Sequence, residues 1–145
     1  MERITVTAHF HTAHRQINYP GHCAYVHGHT WRGRIIVSCE EFPRDELDMA
    51  LDFGDLKGIM RFLDHKIIVT ENDPTFLNQA LFEPEGVVLL PGKSPSVENV
   101  AHYIWKGVVE HITKKFPARG IGYQIEVEIQ ETDNNFFAVS KAAVV

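Results

Sequence analysis

The chain is organised around the stretch HGHTWRGRIIVSCEE, residues 27–41. Apolar and polar side chains alternate along it, which is the pattern of a β-strand that buries one face. Trp31 and Val37 share one face, whereas Arg32 and Arg34 lie on the other. A strand of this length that is apolar on one side predicts a sheet with a second layer packed on its apolar face.

Two histidines lie at the start of this strand, on its apolar face. Side chains two residues apart on a strand point the same way, so His27 and His29 can both reach one metal ion. His14 is a candidate third ligand because it closes an earlier run of even-numbered apolar positions from Ile4 to Phe10. Three histidine nitrogens with no fourth protein ligand are typical of a catalytic zinc site, which keeps one coordination position open.

The distribution of histidines favours a metal site over the plainer interpretation that these are ordinary surface or core residues. Six of the nine histidines fall within the first 29 residues. One His-x-His arises often by chance, but this clustering together with a shared strand face does not. We expect His9, His11 and His22 to lie on the surface or behind the ligands rather than on the metal.

The two cysteines are too few for a disulfide framework and suit a reducing compartment. Cys39 falls in phase with the apolar side chains of its strand, so we expect a small buried hydrophobe there. Cys23 lies four residues before the histidine pair in a loop-like segment. A nearby cation would favour its thiolate, which makes Cys23 a candidate for chemistry.

Length and composition indicate one globular domain, residues 1–145. The formal net charge of −5 and the lack of a basic stripe argue against a nucleic-acid partner. The N-terminus leads directly into alternating strand sequence and lacks the apolar core of a signal peptide. No apolar run approaches the length of a membrane span. We therefore expect a cytoplasmic protein with no membrane partner.

Periodicity predicts four strands and two helices in the order ββααββ. The predicted elements are strands at Ile4–Phe10, residues 27–41, Gln124–Gln130 and Phe136–Val144, a helix from Phe53 to about Leu63 with Asp52 as N-cap, and a longer helix capped by Ser94 with Pro95 at its first position. This order predicts an α+β fold, with an antiparallel four-stranded sheet and two helices on one face. The open edges of such a sheet favour a homo-oligomer. The segment Lys66–Lys93 is the least regular, although Val87–Leu90 suggests one short strand.

Two further positions each admit two interpretations. Glu131 falls on the apolar phase of the third predicted strand, where a carboxylate costs free energy unless a partner meets it. Alternatively, the strand ends there and the carboxylate reaches water. His65 follows the first predicted helix, where a histidine near a helix C-terminus is favoured by the helix dipole whether or not it has another role.

Six motifs, in order, resemble those of the 6-pyruvoyltetrahydropterin synthase family. They are FHTAHR at 10–15, Cys23 followed by HGH at 27–29, LDFGDLK at 51–57, LDH at 63–65, PSVEN at 95–99 and ET at 131–132. The resemblance runs over most of the chain. It implies the tunnelling fold (T-fold), in which subunits join their sheets into a barrel and active sites form between subunits.

The resemblance implies a role for each residue near the histidine pair. Zinc would be held by His14, His27 and His29, where it could bind side-chain hydroxyls of a pterin substrate and stabilise oxyanion character. Cys23 would act as the general base. The substrate would therefore be a small molecule, and the cofactor Zn²⁺.

The remaining motifs imply a second proton-transfer group and a ring-binding group. Asp64 would orient His65 and stabilise its charged form. Glu131 would accept two hydrogen bonds from the N–H and amino groups of the pterin ring. Glu98, in the first turn of the second helix, is a candidate ligand contact only, because a carboxylate is favoured at that position in any helix.

Spacing within the second motif indicates a branch of the family. Three residues separate Cys23 from His27, as in the 6-carboxytetrahydropterin synthases of queuosine (7-deazaguanine) biosynthesis. The resemblance therefore implies conversion of 7,8-dihydroneopterin triphosphate to 6-carboxy-5,6,7,8-tetrahydropterin, with loss of acetaldehyde and triphosphate. Thr12 stands where the family usually has Ala, and the segment up to Lys93 is longer than in compact members. These departures leave the side-chain specificity open.

Three alternatives remain from the sequence. One is a sister activity that makes 6-pyruvoyltetrahydropterin or cleaves the pterin side chain differently. Another is a non-catalytic relative that binds metal or pterin. A cupin-like metal module is a third, but Gly33 and Arg34 stand where the glutamate of a cupin motif would follow His29, and two helices do not suit that barrel.

Overall fold

The computed structural model describes all 145 residues, Met1–Val145. It contains six strands and two α-helices. They are β1 (Glu2–His14), β2 (His27–Cys39), α1 (Phe53–Arg61), β3 (Lys66–Val69), β4 (Val87–Leu89), α2 (Val97–Lys115), β5 (Gly122–Thr132) and β6 (Asn135–Val144). Short 3-10 turns occupy His22–Ala24, Pro74–Leu77 and Pro84–Gly86.

The strands form one mixed sheet in the order β4-β3-β1-β2-β5-β6. The four long strands are antiparallel neighbours, as the alternation predicted. The predicted four-stranded sheet was nevertheless wrong in number and direction, because β3 runs parallel to β1 and β4 runs parallel to β3. Both extra strands come from the irregular segment Lys66–Lys93. Strand β4 confirms the short strand suggested at Val87–Leu90, whereas β3 was not predicted. These strands are only four and three residues long, too short to show the period of a strand.

Both helices cover the same face of the sheet, and the core lies between them. Trp31 and Ile125 of the sheet are fully buried, as are Met60 of α1 and Ile104 of α2. Strand β2 and helix α1 are in such close contact that a Cβ atom at Gly33 would collide with Met60 Sδ. The opposite face of the sheet, called the outer face below, carries exposed polar residues.

The helix N-termini are capped by side chains. The carboxylate of Asp52 accepts hydrogen bonds from the backbone N–H groups of Gly54, at 2.6 Å, and Asp55, as predicted. The cap of α2 is Ser96, whose hydroxyl accepts from the N–H of Asn99. The prediction of Ser94 was wrong, because the Ser94 carbonyl instead accepts a hydrogen bond from the Asn99 side-chain amide at 2.7 Å.

Two sheet edges lack a partner along much of their length within this chain. Strand β1 pairs with β3 only at Thr12 and Ala13, and β6 has no strand on its far side. Unpaired edges of this kind favour association through strands, so the homo-oligomer stays a prediction that the fold permits. Neither helix is long and apolar enough to cross a membrane.

Candidate metal centre and active site

Three histidines converge at one end of the sheet, on the helix-covered face. Register places His14 opposite His27 and Thr12 opposite His29, so the antiparallel pairing of β1 and β2 brings the three imidazoles together. One candidate ligand atom of each lies within 4.8 Å of the others. The ring centroids of His14 and His27 are 4.7 Å apart, and those of His27 and His29 are 4.8 Å apart. The histidine triad therefore exists as the sequence predicted.

Hydrogen bonds behind two of the rings set which nitrogen is free. Nδ1 of His14 donates to the carbonyl of Pro95 at 2.7 Å, and Nδ1 of His27 donates to the carbonyl of Tyr25 at 2.6 Å. A carbonyl can only accept, so each Nδ1 carries the proton and the neutral ring keeps its lone pair on Nε2. Nε2 of His14 and Nε2 of His29 are buried and have no hydrogen-bond partner. These residues therefore fit a divalent metal.

Burial favours the neutral form of two of the rings, His14 and His29. It lowers the pKa of His14 from 6.5 to about 4, despite the opposing effect of the Pro95 carbonyl, and the neighbouring rings of His27 and His29 lower it further. Burial also lowers the pKa of His29, again with help from His27. A neutral imidazole is the form that binds a metal, so near pH 7 the site needs no proton release from His14 or His29.

Glu131 lies beside the triad, at a register shift in β5 between Gln130 and Thr132. Its Oε1 is 3.3 Å from Nε2 of His14 and 3.9 Å from Nε2 of His29, and its side chain is 18% exposed. Burial raises the pKa of Glu131, partly opposed by His27, and Glu98 raises it further. Because Nε2 of a neutral His14 is an acceptor, the short contact with a carboxylate oxygen is stable only with a proton or a cation between them.

Cys23 lies in the loop that joins the two histidine-bearing strands. It is a half-buried free thiol within the 3-10 turn His22–Ala24, and its carbonyl accepts a hydrogen bond from the N–H of Gln16 at 2.8 Å. It is not part of the cluster of mutually close ligand atoms, which contains histidines only. The structure thus leaves the sulfur free of the metal ligands and of any disulfide.

Asp64 and His65 form a hydrogen-bonded pair on the edge of β1. The Asp64 carboxylate accepts from Nδ1 of His65 at 2.9 Å and from the backbone N–H of His11 at 2.7 Å. The second of these bonds is the main reason why the pKa of Asp64 lies below its usual range, and the His65 contact adds to it. The N–H of His65 donates to the His11 carbonyl, and His65 adopts a left-handed φ of 58°. The turn that lets adjacent side chains meet is therefore present.

This pair does not face the triad of its own chain. The His65 ring lies against the ring of His11, with centroids 6.4 Å apart. His11 alternates with the buried Phe10 and Thr12, so it points to the outer face, away from the helices. The histidine triad points toward the helices, against the fully buried Trp31. Within one chain the two groups of residues lie on opposite faces of the sheet.

Comparison with known proteins identifies the family. The model of the family described as 6-pyruvoyl tetrahydropterin synthase matches residues 3–142. The chain belongs to the 6-pyruvoyl tetrahydropterin synthase family. A Rickettsia conorii protein named 6-carboxy-5,6,7,8-tetrahydropterin synthase is 24% identical over 144 residues, covering 96% of this chain and all of that protein. A Pyrococcus abyssi protein with a similar provisional name is 36% identical over 70 residues, but the match spans only 48% of this chain and 43% of that one.

Solved structures of this family share the fold. A variant of the Plasmodium vivax 6-pyruvoyltetrahydropterin synthase superposes with a TM-score of 0.70 at 22% identity, covering 98% of both chains. The likeness supports the T-fold expected from the sequence motifs. At 22% identity this structural similarity shows the fold alone.

Sequence reasoning missed the groups that orient the candidate ligands. The carbonyls of Pro95 and Tyr25 carry no signal in side-chain chemistry, so only the structure reveals that they accept hydrogen bonds from His14 and His27. It also missed Arg15, which binds the buried carboxylate of Asp73 through two hydrogen bonds of 2.7 Å. Arg15 directly follows a candidate metal ligand, and it ties the irregular segment to the end of β1. Glu98 is exposed, and its charge is close enough to raise the pKa of Glu131.

Proposed function

We propose that this chain is a zinc-dependent lyase of the pterin side chain, which converts 7,8-dihydroneopterin triphosphate to 6-carboxy-5,6,7,8-tetrahydropterin, a step of queuosine biosynthesis. The observation that carries the proposal is the convergence of three histidines, two of them with buried and unpartnered Nε2 atoms, next to the half-buried carboxylate of Glu131. Family membership supports the substrate class, and the name of the Rickettsia relative favours the carboxy product.

Within this proposal His14, His27 and His29 hold the metal through Nε2. Zinc bound there would supply Lewis acidity toward the side-chain hydroxyls of the substrate. The carbonyls of Pro95 and Tyr25 fix the orientation of two of the ligand rings. The ligands are thus arranged before substrate arrives.

Glu131 would bind the pterin ring. A carboxylate can accept two parallel hydrogen bonds from an N–H and an adjacent amino group. Such donors satisfy an acceptor whose burial otherwise favours its protonated form. The position of Glu131 beside the triad would then place the carbon chain attached to the ring next to the metal.

Cys23 and the Asp64–His65 pair would move protons. Cys23, half buried in the loop between the two histidine-bearing strands, would take a proton from the substrate side chain at Sγ. Asp64 orients the imidazole of His65, whose Nε2 is the atom left to exchange a proton. Because this pair lies on the opposite face from the triad of its own chain, it can reach the substrate only from a neighbouring copy. The proposal therefore includes a homo-oligomer with active sites between subunits.

The test is to incubate zinc-loaded protein with 7,8-dihydroneopterin triphosphate and identify the product by mass. We expect 6-carboxy-5,6,7,8-tetrahydropterin together with acetaldehyde. A product retaining the three-carbon side chain, 6-pyruvoyltetrahydropterin, would assign the sister reaction. Unreacted substrate alongside an active 6-carboxytetrahydropterin synthase as control would contradict an enzymatic role and leave a metal- or pterin-binding relative.

A further inference from the structure

The outer face of the sheet carries a groove of about 640 Å³ with a concentration of cationic side chains. Its basic lining residues are His9, His11, Arg32, Arg34 and Arg61. Register places His9 directly opposite Arg32 across β1 and β2, and cross-strand partners share a face. The sheet thus assembles the groove, and helix α1 adds its last residue, Arg61.

The positive charge of this groove is only partly compensated. Its single acidic lining residue is Glu128, which lies 3.4 Å from Arg34. Arg32 and Arg61 form no ion pair with any carboxylate of the chain. In a protein of net charge −5, unpaired guanidinium groups in a concave surface concentrate positive potential there. A planar guanidinium binds phosphate oxygens through two parallel hydrogen bonds, so the groove suits a phosphorylated ligand.

This groove is continuous with the surface around the Asp64–His65 pair. A second depression of about 470 Å³, lined by His65 and Lys66, shares His11 and Thr30 with the groove. Nδ1 of His11 lies 3.1 Å from Oγ1 of Thr30, which fixes the ring at the junction. One continuous surface therefore runs from a candidate proton-transfer group to the arginines.

We propose that this groove binds the triphosphate of the substrate, with Arg32 and Arg61 as its principal contacts. The inference rests on the proposed function for the identity of the ligand. A substrate whose ring is held at the metal of one copy meets His65 from a neighbouring copy. Its charged tail then continues along the outer face of that neighbour, where the arginines lie. Each complete site would use the helix-covered face of one chain and the outer face of another.

Binding of inorganic tripolyphosphate tests the groove without turnover. Tripolyphosphate is titrated calorimetrically into zinc-loaded full-length protein, and the zinc content is measured afterwards. We expect the double variant Arg32→Gln, Arg61→Gln to bind at least about tenfold more weakly than wild type. The matched control is Arg119→Gln, an exposed arginine outside the groove, which should bind within about twofold of wild type.

A charge-preserving variant separates the site from a folding defect. Arg32→Lys, Arg61→Lys keeps the positive charge, so it should recover most of the affinity that the glutamine variant loses. No measurable binding by wild type at millimolar tripolyphosphate would overturn the proposal. So would equal binding by wild type and the glutamine variant, or a glutamine variant whose main defect is loss of the oligomer, since the arginines would then serve neighbouring carboxylates.

Steady-state kinetics connects the groove to the reaction. For the triphosphate substrate the glutamine variant should raise KM by about tenfold with a smaller change in kcat, because the tail is bound in both the ground and transition states. Binding of dihydroneopterin, which lacks phosphate, should be unchanged. If the wild-type protein does not turn over the substrate, the proposed reaction is contradicted. The tripolyphosphate titration still shows whether the groove binds a polyphosphate.

Discussion

Nδ1 of His14 and the carbonyl oxygen of Pro95 lie 2.7 Å apart, although 81 residues separate them in sequence. The bond joins the end of β1 to the segment that leads into α2, so one candidate metal ligand is oriented by the second layer of the fold. It also fixes the tautomer, because the carbonyl takes the Nδ1 proton and leaves Nε2 free. The candidate metal site is thus built into the contact between the sheet and the segment that leads into α2.

Replacing a member of the triad should remove the metal. His14→Ala deletes one of three ligands, and we expect zinc affinity to fall by at least about 100-fold, beyond the loss typical of an outer hydrogen-bond partner. Competition with a chromophoric chelator measures this directly. The matched control is His9→Ala, an exposed histidine on the outer face of the same strand. Wild-type zinc affinity in His14→Ala would exclude His14 as a ligand.

The metal-free protein should lose stability as the pH falls from 6.5 toward 4. Burial lowers the pKa of His14 to about 4, so in this range the unfolded chain binds a proton that the folded chain does not. Stability must then rise with pH, by up to about 3 kcal/mol for a shift of this size. The lowered pKa of His29 acts in the same direction, whereas the raised pKa of Glu131 acts against it.

Urea unfolding of the metal-free protein at pH 7 and at pH 5 measures this dependence. The variant His14→Gln removes the titrating group, so its unfolding free energy should change less between the two pH values than that of wild type. An equally steep dependence in the variant would assign the effect to other groups.

The Asp64–His65 pair should act on turnover and not on the metal. Asp64→Asn removes the negative charge and leaves one oxygen for two donors, the His65 Nδ1–H and the His11 N–H. We expect kcat to fall by about 100-fold with unchanged zinc content. Asp133→Asn, in the exposed turn before β6, is the matched control. If sites form between copies, mixed oligomers of Cys23→Ala and His65→Ala chains should regain activity that neither has alone. No recovery after proven mixing would argue against shared sites.

The histidine triad was predictable because strand alternation is a strong local signal. His27 and His29 share a face in any strand, and His14 continues the apolar phase of β1. The side of the sheet on which each histidine lies therefore follows from the strand period alone. The six motifs added the family and the T-fold. Neither source required knowledge of how distant segments pack.

Features that depend on distant packing were not predictable. Strand β3 has an apolar core of a few residues, which also suits a buried turn, and its parallel pairing with β1 makes it a strand. The sequence suggested a strand at Val87–Leu90 but not the parallel pairing of β4 with β3. Ser94 and Ser96 both precede a plausible helix start. Ser96 is the N-cap in the structure, and the Asn99 side-chain amide donates a hydrogen bond to the Ser94 carbonyl. The placement of His65 on the outer face depends on how the chain leaves α1 and passes the edge of β1.

The Arg15–Asp73 pair should stabilise the fold more than an exposed pair of the same chemistry. Asp73 is 3% exposed and accepts two hydrogen bonds of 2.7 Å from the guanidinium, which also lowers the pKa of its carboxyl. We expect Asp73→Asn to lower the unfolding free energy by about 2 kcal/mol, because it removes the negative charge and one of the two oxygens that accept from Arg15. Chemical denaturation of zinc-free protein at pH 7 measures the change.

A surface pair provides the control for that comparison. Glu2 and Arg44 form a salt bridge of 2.8 Å with both side chains more than a third exposed. Glu2→Gln should therefore cost less than about 1 kcal/mol. Equal losses in the two variants would mean that burial of Asp73 adds nothing to the pair.

A variant of Glu131 tests whether its carboxylate binds the pterin ring of the substrate or the metal. Its Oε1 is close enough to two Nε2 atoms for either role. If it binds the ring, Glu131→Gln should keep zinc affinity within about threefold and weaken pterin binding by at least about tenfold, since an amide cannot accept both ring donors. Zinc competition and fluorescence titration with a dihydropterin measure the two separately. Loss of zinc with retained pterin binding would make Glu131 a fourth ligand and contradict the open coordination position on which the proposed chemistry depends.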